Sequence, residues 1–63
     1  MPNSMLIIKY MRNNKLSKEQ FCQLCNIDLT TLDDIVYFGK YQYETLSRIG
    51  EKIDAGIYEF FMY

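Results

Sequence analysis

"LSKEQFCQLCNID", residues 16–28, is the stretch on which the fold of this chain turns. Leu16 precedes Ser17-Lys18-Glu19-Gln20, which has the form of a capping box: the serine hydroxyl accepts from the amide three residues on, and the Gln20 side chain reaches back. A helix therefore starts at Ser17. It places Phe21, Cys22 and Cys25 on one side and Lys18, Glu19 and Gln23 on the other. Asn26 tolerates a left-handed backbone better than any residue except glycine, so it can end this helix after about two turns. Ile27 then tucks inward and Asp28 caps the next helix, its carboxylate suiting the positive end of the helix dipole.

The spacing Cys22-x-x-Cys25 raises the question of chemistry. A structural zinc needs four ligands, and the chain has two cysteines and no histidine, which excludes a complete single-chain zinc site of the usual type. A redox pair wants its thiolate at a helix N-terminus, whereas these cysteines fall in the middle and at the end of a helix. The reading left is packing. Two helices that cross closely through a tight turn need a small residue mid-helix, an apolar one near its end and a turn residue allowing positive φ. They also need an apolar residue after the turn and two more on the second helix. Those places fall to Cys22, Cys25, Asn26, Ile27, Leu32 and Ile35, with Phe21 as the large anchor and cysteine acting as a small hydrophobe.

Outward from this unit the periodicity stays helical. Ile7 and Ile8 with Met11 predict a first helix over about residues 4–13, ended by Asn13, Asn14 and Lys15. The helix capped by Asp28 runs to about Tyr37 with Leu32, Ile35 and Val36 as its stripe, and Gly39 supplies the stop. Tyr43, Leu46, Ile49 and Ile53 make a fourth helix, in which Gly50 costs about 1 kcal/mol relative to alanine unless close packing compensates. Asp54-Ala55-Gly56 turns the chain into a short fifth helix with Ile57, Tyr58, Phe60 and Phe61. No alternating strand pattern survives, so the expected fold is all-α with five short helices.

At 63 residues the chain is a single domain, residues 1–63, and such a domain buries only about 60% of the surface its unfolded chain exposes. Its composition, 49% hydrophobic and 24% charged, is that of a folding module and not of a solvated tail. Lys9 and Arg12 interrupt the apolar start too early for a membrane span or a secretory segment, so a cytoplasmic protein without membrane contact is expected. Reducing conditions there disfavour a disulfide. The net charge of −1 hides an asymmetry: residues 1–18 carry Lys9, Arg12, Lys15 and Lys18 and no acid, while the rest holds all eight acids. A basic edge of this kind steers polyanions through local potential.

The set of features resembles the lambda-repressor-like, or XRE-type, helix-turn-helix domains over about residues 8–60, with the helix-turn-helix unit at about 17–38. "LSKEQFCQLCNID" is similar to the family's motif, with Cys22 where alanine is usual and Asn26 where glycine is usual, and "YETLSRIGEKI" looks like its fourth helix. The resemblance implies a compact five-helix fold and binding of double-stranded DNA with the third helix in the major groove, often as two-fold dimers. Carried over by position, it implies base contacts from Leu29, Thr30, Asp33 and Asp34 and from Lys18. Thr30 and Thr31 are suited to a phosphate or base, and Leu29 to a thymine methyl. Ser17, Lys18 and Lys40 stand where members contact phosphates, and Lys9, Arg12 and Lys15 supply long-range attraction. The chain departs from the pattern at Val36, where members often carry a glutamate that pairs with the arginine at position 12; Arg12 is left for Asp34 or for a phosphate. Adjacent Asp33 and Asp34 are a second departure, since carboxylates on a groove-facing surface are repelled by flanking phosphates.

Residues 58–63 are more apolar than one helix can bury, which suggests a homodimer contact through this aromatic segment. Without histidine or a Gly-rich phosphate loop, no catalytic site and no cofactor are expected. Two functions follow as expectations: a small sequence-specific transcriptional regulator, bacterial or phage-like, and a helix-turn-helix-derived interaction module, an antirepressor or a regulator's partner, that has lost DNA contact.

Overall fold

Local chemistry starts and stops each element of the structure, a computed structural model that describes residues 2–62. Helix α1 spans Met5–Asn13, and the Met5 amide donates to Asn3 Oδ1 at 3.2 Å in place of a cap from Ser4. α2 spans Lys18–Cys25 and opens with the full capping box: the Gln20 amide donates to Ser17 Oγ at 3.2 Å, and the Ser17 amide donates to Gln20 Oε1 at 2.8 Å. Asn26 ends it at φ 56°, ψ 48°, in the left-handed region, and the Ile27 amide donates back to the Cys22 carbonyl at 3.0 Å. α3 spans Leu29–Phe38, capped by Asp28 Oδ1, which accepts from the Thr31 amide at 2.8 Å; Gly39 ends it at φ 66°. α4 covers Tyr43–Lys52.

The expected fifth helix is instead a 3-10 helix, Ile57–Phe61, so the described residues form four α-helices and one tighter turn. A segment of five residues gains too few i→i+4 bonds to offset the cost of nucleating an α-helix, and i→i+3 bonding suffices to place one side chain. That side chain is Phe60, which is fully buried. Gly50 explains how it gets in. A Cβ at Gly50 would lie 2.5 Å from the Ala55 carbonyl oxygen and 3.3 Å from the Phe60 ring, so glycine lets the turn and the 3-10 helix close on α4. The Asn3 amide also donates to the Phe60 carbonyl, tying the two ends of the described chain together.

One core serves all five elements. Ile7, Phe21, Cys22, Cys25, Leu32, Ile35, Leu46, Ile49 and Phe60 form it, with Leu16, Ile27, Val36 and Ile53 packed at its margin. An edge-to-face contact between Tyr10 and Phe21, 6.2 Å between ring centroids, joins α1 to α2. The radius of gyration, 10.3 Å, is close to the about 10.6 Å that compact packing of this length gives. Among the described residues there is no strand, and no helix is long and apolar enough to cross a membrane. Tyr63, counted above in the apolar C-terminal segment, lies outside the described residues.

Candidate nucleic-acid interface

Both cysteines are buried and unbonded, Cys25 completely and Cys22 to within 6%. Burial pushes the Cys22 thiol up and the Cys25 thiol up to about 11, so neither is a reactive thiolate near neutral pH. They fill space in the core cluster that also holds Leu32 and Ile35 of α3. Among the described residues, no three His, Cys, Asp or Glu side chains gather so as to hold a metal ion.

The first turn of α3 lies at the surface. Leu29 is 41% exposed and Thr30 is exposed, while Leu32 and Ile35, about one and two turns on, are sealed in the core. Thr31 is half-buried; its amide is taken by Asp28, whose carboxyl is held below the usual range by hydrogen bonds from Thr31. Ser17 sits at the start of α2 with its hydroxyl oxygen accepting from Gln20, so the hydroxyl proton is still available to an outside acceptor.

The two adjacent acids diverge. Asp34 lines a cleft of about 310 Å³ with Thr31, Lys40, Tyr41, Gln42 and Thr45, between α3, the loop after it and the start of α4. Lys40 is exposed at its rim, and its amide donates to the Asp34 carbonyl at 2.9 Å. Asp33 faces α2 instead. Its Oδ1 accepts from Lys18 Nζ at 3.2 Å, and the same ammonium donates to Tyr37 Oη at 2.9 Å and lies 4.7 Å from the centre of the Tyr37 ring. The Tyr37 hydroxyl and the Asp33 carboxylate together raise the Lys18 pKa. This is the single ion pair among the described residues, and it makes Lys18 a bridge between α2 and α3 as the protein stands alone.

Arg12, expected to turn to Asp34 or to a phosphate, is exposed and makes no ion pair with Asp34. Lys9 and Lys15 are exposed as well, Lys15 in a left-handed conformation at φ 54° where the chain leaves α1. Thus Ser17, Lys18 and the α3 surface are brought together at the α2–α3 unit. Thr31, Asp34 and Lys40 share the neighbouring cleft, and the three remaining bases stand on α1 and its exit. Sequence reasoning did not single out Tyr37, nor Gln42 and Thr45. The i, i+4 spacing of Asp33 and Tyr37 was a signal that both share a face, but which lysine that face meets depends on how the helices pack.

Comparison of the chain with family models, with curated proteins and with solved structures finds no match in any of the three.

Proposed function

We propose that this chain is a small cytoplasmic DNA-binding regulator of the lambda-repressor-like helix-turn-helix type, which lays α3 in the major groove and performs no catalysis. The observation that carries this reading is the exposed first turn of α3. After a capped, αL-terminated α2 with two buried thiols, Leu29 and Thr30 are exposed, where a methyl and a hydroxyl can meet base edges. Ser17 at the start of α2 and Lys40 in the cleft that Thr31 lines are the phosphate donors of this reading, and Lys9, Arg12 and Lys15 add attraction without carrying sequence information. In this reading two copies associate through the C-terminal aromatic segment, where Tyr58 and Met62 are more than 60% exposed, and present two α3 helices to a two-fold site.

Titration of a mixed-sequence duplex at low and moderate salt tests it. Affinity should be present at low salt and fall linearly on logarithmic axes, and Lys40→Ala should flatten the slope by about 0.9 for the one phosphate lost. No affinity at low salt defeats the reading. One observation favours the second reading, an interaction module without DNA contact: α3 and the loop after it expose Tyr37, Phe38 and Tyr41 and carry two acids, a surface suited to a protein. On that reading duplex DNA is ignored at every salt concentration.

A further inference from the structure

The proposed phosphate contact at Lys18 is already engaged within the free protein. Asp33 and Tyr37, one turn apart on α3, hold its ammonium at 3.2 and 2.9 Å. An ammonium has three N–H donors, and this one spends two on its own chain. The lysine and aspartate side chains remain 43% and 36% exposed, so the pair sits in water, where such a contact is weak and open to exchange. Asp33 differs in this from Asp34, which makes no ion pair among the described residues.

We propose that Asp33 is an internal competitor for the phosphate that Lys18 would otherwise bind. On non-specific DNA the clamp stays closed, because releasing Lys18 would leave the Asp33 carboxylate bare beside the phosphates. On the right sequence a base-edge amino group, the N4 donor of cytosine, takes the carboxylate, and Lys18 is freed to reach the backbone. Asp33 then sets specificity by suppressing non-specific affinity, which turns the misplaced acid on α3 into a working part. The inference rests on the DNA-binding reading above.

The test is a salt titration of full-length chain against mixed-sequence duplex, comparing Asp33→Asn, Asp34→Asn and each combined with Lys18→Ala. All these side chains lie at or near the surface, and equal thermal midpoints check that the fold is kept. Asp33→Asn should tighten non-specific binding and steepen the salt slope by about 0.9, which is an additional loss of about 3.5-fold on a fourfold rise in salt. Adding Lys18→Ala should cancel that steepening. Asp34→Asn should change affinity by the same factor whether residue 18 is lysine or alanine. Binding in which Asp33→Asn steepens the slope no more than Asp34→Asn, or does so equally with alanine at 18, overturns the competitor while leaving the DNA reading intact. No binding by the wild-type chain or any variant at low salt overturns both.

Discussion

Cysteine at positions 22 and 25 is a packing choice, and its chemistry is muted by where it sits. With both thiols buried and Cys25 raised to about 11, a thiol reagent at pH 8 should modify the native protein far more slowly than the denatured one. Mass spectrometry of timed samples checks this; two fast equivalents in the native state would contradict it. Cys22→Ala, a small-for-small exchange, should cost less than about 1.5 kcal/mol. Gly50→Ala is expected to destabilise by about 1–3 kcal/mol although alanine is the better helix former, because its methyl would meet the Ala55 carbonyl. At this scale the sequence was legible wherever the chemistry is local. Asn26 in the left-handed region, the reciprocal Ser17–Gln20 bonds and the Asp28 cap each depend on four or five consecutive residues. The partners of Lys18 were not legible, since Asp33 and Tyr37 lie 15 and 19 residues away and meet it through the register of α2 against α3.

Among the elements, α2 and α3 draw on their caps most. Removing the Ser17 hydroxyl by Ser17→Ala should cost about 1 kcal/mol, lowering the thermal midpoint by about 4–8 °C for a domain of this size. Asp28 adds a pH dependence whose sign follows from its lowered pKa. Its contribution is present above the ordinary aspartate value and is lost as the pH falls through the folded value. Asp28→Ala should therefore be less stable than the parent at pH 7, with the difference closing in strong acid; denaturant midpoints at pH 7 and below pH 3 measure it. The extents of α1 to α4 were readable to within a residue or so, because caps and breakers mark them. The 3-10 character of Ile57–Phe61 was not, because apolar spacing over five residues does not distinguish i→i+3 from i→i+4 bonding.

Taken whole, the molecule has little stability to spare. A chain of this length is expected to be stable by about 3–9 kcal/mol, and Phe21→Ala, which empties a fully buried core position beside Tyr10, should remove about 3–5 kcal/mol of that. One compact core follows from the sequence; which surfaces stand open depends on the packing that aims each side chain. The described chain offers two: the first turn of α3 with its basic neighbours, and the aromatic surface that runs from Tyr41 to Phe61, whose rings meet at 5.7 Å. Duplex DNA is the ligand proposed for the former. Backbone amide NMR spectra of the protein, recorded as a mixed-sequence duplex is added at low salt, test that assignment most directly. Shifts should concentrate on Ser17, on Leu29 through Thr31 and on Lys40. Spectra that stay unchanged, or that move only around Tyr41, Tyr58 and Phe61, would contradict it.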